Sequence, residues 1–317
     1  MILVNYKNLK ERLINNFPSL SLITIKNYCS QLNKVKNLDI SKPREIENKL
    51  FDKYKITTYK QLIISIIKYL KINEKKNDDL IYEYLNYMDD IQEIIYDDKD
   101  HNQKNEKEKE NWATLKQIKK VFYNLEDEIY KYDFLMTKYD SLNKIEQNIM
   151  TDFILLGLFV LNPPRRANDY SCMLIQDIKN KTFDKDFNYL IIENKKAKYF
   201  IFNNYKTKKI YKSQKIEISV HLSNILNKYL KILNHNIKPL YLLKINDKKL
   251  NSNLITKRIK RIFLKSYLQK PININLIRHI FISEIIGEEE ISLHKFRKKI
   301  SYSMAHSSSM QIQYIKY

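Results

Sequence analysis

The segment NLIRHIFI at residues 275–282 places an Arg-His pair at the start of an apolar stretch near the end of the chain. The segment MAHSSS at residues 304–309 brings a second histidine, and two tyrosines, Tyr314 and Tyr317, close the sequence. Arginine binds anions through a fork of donors, histidine titrates near neutral pH, and a tyrosine hydroxyl can serve as a nucleophile. These residue types in this order indicate a site that handles an anionic group, and the rest of the chain can be read around it.

The 317-residue chain is strongly basic, with 57 Lys and Arg against 36 Asp and Glu and a formal net charge of +21. Such an excess predicts a polyanionic partner, either nucleic acid or an acidic membrane face. The alternative is an AT-rich coding bias, which enriches Lys, Asn, Ile and Tyr together. Only two glycines occur, Gly157 and Gly287, so the glycine-rich loops of P-loop and Rossmann nucleotide sites are excluded.

The two cysteines, Cys29 and Cys172, stand far apart and lack the spacing of a metal site or a disulfide framework. There is no signal peptide, and no apolar run reaches the roughly 18 residues that a membrane span needs. The longest apolar run, residues 149–161, is interrupted by Asp152 and indicates a buried helix. We therefore expect an intracellular protein without a membrane partner, long enough for two domains.

Residues 1–97 have the periodicity of a small helical bundle. Three helices are predicted: one capped by Ser21 or Thr24, one capped by Thr57 or Thr58, and one from about Asp79 to Tyr96. The second of these carries an apolar stripe of Leu62, Ile63, Ile66, Ile67 and Leu70.

The stretch DKDHNQKNEKEKEN at residues 98–111 has no apolar residue and no periodicity, which predicts an interdomain linker. A solvated helix end is compatible with the same composition. Trp112 then begins the second domain, where Thr114 is predicted to cap a helix and a further helix spans about residues 145–161. The prolines that follow must end that helix.

Residues 188–220 change to short β-prone runs separated by Asn and Lys clusters, which predicts a small antiparallel sheet. The runs are residues 189–192, 199–202 and 215–218. Helical periodicity then returns in residues 221–233, 253–263, 276–286 and 293–304. A basic cluster on one of these helices either follows a DNA backbone or forms a solvated face, and it comprises Lys257, Arg258, Lys260 and Arg261.

The order of these features resembles the tyrosine recombinase (phage integrase) family, whose C-terminal signature is Arg-His, then Gly-His, then a nucleophilic Tyr. Residues 112–317 carry the resemblance, and the PPRR and YKT wording at residues 163–166 and 205–207 is similar to integrases of large DNA viruses and virophages. The resemblance implies a mainly α fold with a small antiparallel β-sheet. Residues 1–97 would form a helical core-binding domain that binds DNA, and residues 112–317 an α+β catalytic domain.

The resemblance assigns five catalytic residues, which are Arg166, Lys206, Arg278, His306 and Tyr314. The two arginines would clamp the non-bridging oxygens of the phosphorane that forms when the tyrosine attacks DNA. Lys206 would protonate the leaving 5′-oxygen, and His306 would position the phosphate or move the tyrosine proton. Because the phosphotyrosyl ester conserves the bond energy, neither a metal nor ATP is required.

Alternatives stay open at the first arginine and at the lysine. Arg166 is favoured over Arg165 because the family places an acid three residues after this arginine, and Asp169 holds that place. Lys206 begins the Lys-Thr step that the family has before its last strand, with Lys208 and Lys209 as close rivals.

The C-terminal part departs from the family pattern at some positions. Asn275 stands where the family usually has His or Lys, and an amide cannot titrate near neutral pH. Ala305 occupies a place that commonly holds Gly, and His279 is expected to be a structural partner. Tyr314 is favoured as nucleophile over Tyr317, because its distance of eight residues from the second histidine is closer to the family spacing than eleven.

Three functions fit these residues. The first is a site-specific recombinase or integrase that cuts and rejoins duplex DNA through a 3′-phosphotyrosyl intermediate, acting as a homotetramer on double-stranded DNA. The second is the same chemistry without exchange between two sites, as in type IB topoisomerases and telomere resolvases. The third is a DNA-binding protein on a decayed recombinase fold, for which Asn275 is the hint in the sequence.

Overall fold

The computed structural model describes residues 1–73, 77–97, 103–180, 183–233, 239–245, 248–287, 300–307, 310–311 and 314–316. By its internal contacts the chain divides into two compact units, Met1–Asp100 and His101–Tyr317. Among the described residues no helix combines the length and the apolar character needed to cross a membrane.

The first unit consists of helices. They are α1 (Leu9–Asn16), α2 (Leu22–Leu32), α3 (Pro43–Leu50), α4 (Ile56–Lys71) and α5 (Asp78–Asp97). The predicted cap at Ser21 is confirmed, since its hydroxyl accepts a hydrogen bond from the backbone N–H of Thr24. The predicted cap at Thr57 or Thr58 is wrong, because α4 begins at Ile56 and both threonines lie in its first turn.

An apolar stripe on α4 forms the centre of the first unit. All five residues predicted for that stripe are buried, and α5 contributes Leu80, Ile81 and Tyr84 to the same core. Sequence periodicity did not reveal α1 and α3, each of eight residues, because two turns carry too few apolar positions to define a face. Pro43 at the first position of α3 is the local signal for that helix.

The polar stretch that was predicted as a linker contains a helix. α6 (Glu106–Asn111) begins after Asn105, whose side chain accepts from the N–H of Glu108 while the Glu108 carboxylate accepts from the N–H of Asn105. This reciprocal capping box stabilises a helix that buries no side chain. Residues 98–102 of the stretch lie outside the described residues.

Longer helices surround the core of the second unit. They are α7 (Leu115–Lys131), α8 (Lys144–Val160), α11 (Val220–Ile232), α12 (Ser252–Lys265) and α13 (Ile274–Gly287), and two single-turn helices are α9 (Ala167–Tyr170) and α10 (Lys208–Tyr211). The predicted cap of α7 at Thr114 is confirmed. Most of the predicted helix 293–304 lies outside the described residues, although residues 300–303 are helical.

The sheet of the second unit has four strands in the order β1 (Leu174–Asp177), β2 (Tyr189–Glu193), β3 (Lys196–Phe202) and β4 (Gln214–Glu217). β2, β3 and β4 are the three predicted strands, and they pair antiparallel as expected. β1 was not predicted and pairs parallel with β2, which makes the sheet mixed. A second, two-stranded sheet joins β5 (Lys244–Ile245) to β6 (Lys248–Lys249). The predicted fold class, mainly α with a small sheet, is confirmed.

Helix α8 forms the centre of the second unit. Every residue from Phe153 to Val160 is buried, as the apolar run in the sequence predicted. The chain then passes two prolines and enters α9, whose N-terminal residue follows Arg165 and Arg166 directly. Two adjacent arginines are therefore fixed at the end of the most buried helix.

Candidate active site

Four segments of the second unit carry the candidate residues. They are the start of α9, the turn of residues 203–213 between β3 and β4, the helix α13, and the C-terminal segment of residues 300–316 so far as it is described. A small apolar cluster packs the C-terminal segment against α13, and it contains Phe281, Ile282, Ile300, Met304 and Ile315.

Arg278 lies near the start of α13 and is completely buried. Its Nη2 donates to the hydroxyl of Tyr314 over 3.2 Å, and its guanidinium carbon lies 5.0 Å from the centre of that ring. Its Nε and Nη1 have no hydrogen-bond partner among the described residues. Burial lowers the pKa of Arg278, and the nearby Arg166 lowers it further, against the pull of Tyr314. A buried cation with two unpartnered nitrogens is suited to bind an oxyanion.

His306 lies beside the same tyrosine. Its ring is 1% exposed and stacks on Tyr314, with 5.2 Å between the ring centres and 16° between the planes. Its Nδ1 is 3.2 Å from the carbonyl oxygen of Ser307, which can only accept, so Nδ1 carries the proton and Nε2 the lone pair in the neutral ring. Nε2 has no partner among the described residues. Burial lowers the pKa of His306 to about 4, and the nearby arginines lower it too.

The backbone of Tyr314 is fixed to α13. Its carbonyl oxygen lies 3.3 Å from His279 Nδ1 and accepts from the Ser283 hydroxyl, also over 3.3 Å. The Ser283 oxygen in turn accepts from the N–H of Lys316 over 2.8 Å. Burial lowers the pKa of His279, whose ring centre is 4.8 Å from that of Tyr314. These contacts hold the tyrosine within reach of Arg278; Tyr317 lies outside the described residues.

The two adjacent arginines have different environments. Arg165 is 1% exposed and uses all three nitrogens: Nε pairs with Asp169 over 2.9 Å, Nη1 donates to the carbonyl of Ser303, and Nη2 donates to the side chain of Gln214. Arg166 is half-buried, and among the described residues its guanidinium makes one hydrogen bond, from Nη1 to the carbonyl of Ala305 over 3.0 Å. Among the described residues, Arg166 therefore keeps two nitrogens, Nε and Nη2, without a bond, whereas each nitrogen of Arg165 is bonded within the protein.

Asp169 is fully buried and pairs with Arg165, four residues before it, rather than with Arg166. Burial raises the pKa of this carboxyl group, and the arginines around it act in the opposite direction. The spacing rule that favoured Arg166 in the sequence thus identified an acid that orients the neighbouring arginine.

The lysine candidates lie in the turn between β3 and β4. Lys206 is exposed and makes no hydrogen bond or ion pair with the described residues. Lys208, at the start of α10, lies 3.4 Å from the side-chain oxygen of Asn204, and Lys209 is exposed on the same helical turn. Asn275 is exposed near the start of α13, and no contact joins it to these groups in the described part of the chain.

Two residues without an assigned role prove to be part of this arrangement. Ala305 has a backbone φ of 55°, in the left-handed region that glycine adopts at the lowest energetic cost. Thr207 donates its hydroxyl to the carbonyl of Ala305 over 2.9 Å. The sequence signal for Ala305 was its departure from Gly, whereas Thr207 had no signal beyond the Lys-Thr step.

The basic cluster on α12 divides into two kinds of residue. Lys257 and Lys260 are exposed. Arg258 is buried, where Nε donates to Asp152 over 2.7 Å and the other nitrogens bind Asn148. Arg261 is exposed and pairs with the second oxygen of Asp152 over 2.8 Å. Arg258, which the sequence grouped with possible DNA contacts, therefore has its charge and its three nitrogens bonded inside the protein, and Arg261 is partly neutralised.

Across the part of the chain that the structure describes, no three His, Cys, Asp or Glu residues come together in a way that could hold a metal ion.

The ion pair between Arg258 and Asp152 should contribute to the stability of the second unit. We expect Arg258→Met to lower the free energy of unfolding by about 3 kcal/mol, because it leaves a largely buried carboxylate without its main partner. Lys260→Met, on the exposed face of the same helix, should change it by less than about 0.5 kcal/mol. Urea unfolding at pH 7 measures both, and equal stability of the two variants would contradict the structural role of Arg258.

His306 makes a prediction for pH dependence. Its pKa of about 4 in the folded protein lies below the unfolded value near 6.5, so the unfolded chain binds more protons between these limits. Stability from this group is complete above about pH 6.5 and is lost as the pH falls toward 4. Between pH 7 and pH 5 we expect His306→Gln to lose less unfolding free energy than the wild type, by on the order of 2 kcal/mol. Parallel losses in urea titrations would contradict the burial of a neutral ring.

The chain has a distant structural likeness to a known protein. No protein-family model matches the sequence, and no curated protein matches it. Among solved structures, the crystal structure of XerA recombinase is similar with a TM-score of 0.43 at 10% sequence identity, over 99% of this chain and 94% of that one.

Proposed function

We propose that the second unit cuts and rejoins DNA strands by the chemistry of a tyrosine recombinase, with Tyr314 as the nucleophile. The observation that carries the proposal is the contact of the Tyr314 hydroxyl with Arg278, a fully buried cation that has two nitrogens without a partner among the described residues. A phosphate whose oxygens met those nitrogens would lie next to the phenolic oxygen. The His306 ring stacks on the ring of the same tyrosine.

In the proposed reaction the phenolic oxygen of Tyr314 attacks a phosphorus atom of the DNA backbone. A bond forms between that oxygen and the phosphorus, the bond to the 5′-oxygen breaks, and the product is a 3′-phosphotyrosyl ester. Arg278 and Arg166 stabilise the negative charge on the non-bridging oxygens. The tyrosine proton passes to Nε2 of His306, and Lys206 gives a proton to the leaving 5′-oxygen.

The charge state of the arrangement fits an anionic ligand. Without one, burial and three arginines keep His306 neutral, with a pKa of about 4. A phosphate would bring negative charge among these cations and would raise the pKa of His306, which makes the ring a better proton acceptor during the attack. Rejoining reverses the steps, when a 5′-hydroxyl attacks the phosphotyrosyl ester and the tyrosine leaves.

The net charge of +21 and the exposed Lys257 and Lys260 support double-stranded DNA as the partner. We extend the proposal to a recombinase or integrase, in which the first unit is a helical core-binding domain and a homotetramer assembles on two DNA sites. The kinship with integrases of viruses and other mobile elements belongs to this extended proposal and rests on the wording of residues 163–166 and 205–207.

Covalent trapping tests the chemistry. A nicked duplex loses a short 5′-hydroxyl fragment after cleavage, so rejoining fails and a protein–DNA adduct accumulates. We expect an adduct from the wild type in EDTA and none from Tyr314→Phe, read by denaturing gel on a pool of candidate duplexes that the protein binds. Arg278→Lys should lower adduct formation by about 10²-fold or more, because a lysine cannot replace a bidentate donor.

Matched variants keep this experiment interpretable. Tyr132→Phe removes an exposed tyrosine hydroxyl outside the four segments of the site and should form the adduct at the wild-type rate. If the adduct is lost in Tyr317→Phe and kept in Tyr314→Phe, the nucleophile is Tyr317 and not Tyr314. If no bound duplex gives an adduct with the wild type, the protein binds DNA without cutting it and the proposed chemistry fails.

Salt dependence tests the DNA surface on α12. Each phosphate contact adds about 0.9 to the slope of log affinity against log salt, so Lys257→Ala with Lys260→Ala should reduce that slope by up to about 2. The control is Lys198→Ala, because the Lys198 ammonium already pairs with Glu193 over 2.7 Å. Fluorescence anisotropy with a labelled duplex measures the slopes. A double variant that keeps the wild-type slope would place the DNA on another face.

A further inference from the structure

The carbonyl oxygen of Ala305 accepts two side-chain hydrogen bonds from distant parts of the sequence. Arg166 Nη1 donates over 3.0 Å and the Thr207 hydroxyl over 2.9 Å. Ala305 is completely buried, and its left-handed backbone precedes His306 directly. The Ala305 carbonyl oxygen thus joins Arg166, the turn that carries Lys206 and the segment that carries His306.

The Thr207 hydroxyl does not cap the helix that follows it. Thr207 is the residue before the first turn of α10, a place where a threonine side chain usually accepts from a helix N–H, and it makes no such bond. The turn is also held by bonds within itself, such as Tyr205 to the carbonyl of Lys212, and its first two residues, Asn203 and Asn204, bond to residues 184–188 beside β2. The Thr207 hydroxyl instead bonds across to the C-terminal segment and ties residues 203–213 to residues 300–307.

Lys206 needs such a tie more than the other groups of the site do. Its side chain is exposed and makes no bond of its own to the described residues, whereas Arg166, Arg278 and His306 are each held by a hydrogen bond. A long lysine side chain has large rotamer freedom, so the position of its backbone sets the region that its ammonium can reach. The residue next to Lys206 fixes that backbone against the histidine segment.

We propose that Thr207 is a positioning residue for strand cleavage: its bond to the Ala305 carbonyl keeps the Lys206 turn in register with Arg166 and His306, so that Lys206 can reach the leaving 5′-oxygen. This inference rests on the proposed function and goes beyond it by giving a role to a residue that touches no reacting atom. In the step concerned, the bond between the phosphorus and the 5′-oxygen breaks while the Tyr314 oxygen bonds to the phosphorus. The Lys206 ammonium gives its proton to the leaving 5′-oxygen. Thr207 exchanges no proton.

The test compares two leaving groups. In a duplex with a bridging 5′-phosphorothiolate, sulfur replaces the leaving oxygen, and a thiolate leaves without being protonated. We expect Thr207→Val to slow single-turnover cleavage of the ordinary duplex by at least about tenfold, because general acids contribute roughly 10²–10⁴-fold, and to slow the sulfur duplex by less than about threefold. Lys206→Ala should give the same pattern with a larger loss on the ordinary duplex.

Conservative and remote variants complete the design. Thr207→Ser keeps the hydroxyl and should cleave both duplexes at nearly the wild-type rate. Thr137→Val removes a hydroxyl whose hydrogen bond is 3.5 Å long and lies outside the site, and it should cleave like the wild type. DNA affinity and the melting temperature of each variant show whether it is folded and bound.

The outcomes separate the inference from the function beneath it. If Thr207→Val slows both duplexes equally, or slows neither, Thr207 does not position the general acid and the inference is overturned. If the wild type forms no adduct with either duplex, the proposed function fails, and the inference fails with it.

Discussion

The second unit depends on a buried charge, the guanidinium of Arg165. A cation that is 1% exposed destabilises the fold unless every donor is satisfied, and here the partners come from three places in the chain. Asp169 supplies the opposite charge from α9, Gln214 supplies an amide oxygen from the start of β4, and Ser303 supplies a carbonyl from the C-terminal segment. The face of the Phe202 ring covers the guanidinium at 3.8 Å. Satisfying one side chain thus fixes the spacing of three elements, and the candidate site lies where they meet.

Arg278 is the opposite case, and the contrast indicates where a ligand belongs. It is as deeply buried as Arg165, yet two of its nitrogens have no partner among the described residues. His306 Nε2 is buried and without a partner in the same sense. Unsatisfied buried polar groups cost stability, and a fold that gives every nitrogen of Arg165 a hydrogen bond has the means to avoid them. Their concentration around the Tyr314 hydroxyl is explained if an oxyanion occupies the site during function.

The sequence predicted those features that depend on local pattern. Capping residues and apolar stripes placed α2, α7 and α8, and β-branched and aromatic runs placed three strands. Pairings between distant residues could not be predicted in this way. Arg165 and Arg166 are adjacent and chemically identical. Only the distant partners that Arg165 finds in Gln214 and Ser303, and Arg166 in Ala305, show that the first is bonded throughout and the second is not. Arg258 was grouped with its basic neighbours on α12 because a charge run does not show which member faces a carboxylate such as Asp152.

The strained backbone at Ala305 connects the packing of the C-terminal segment to the geometry of the candidate site. A left-handed alanine costs about 1 kcal/mol relative to an ordinary backbone, and such a cost persists only where surrounding contacts determine the conformation. Here the carbonyl accepts from Arg166 and Thr207, the methyl group is buried, and the reversal brings the His306 ring onto Tyr314. Glycine would relieve the strain, but it would also free the backbone between the two donors and the histidine. The alanine is therefore consistent with a site whose geometry is fixed before a phosphate arrives, because a rigid reversal keeps the arginine, the threonine and the histidine in one arrangement.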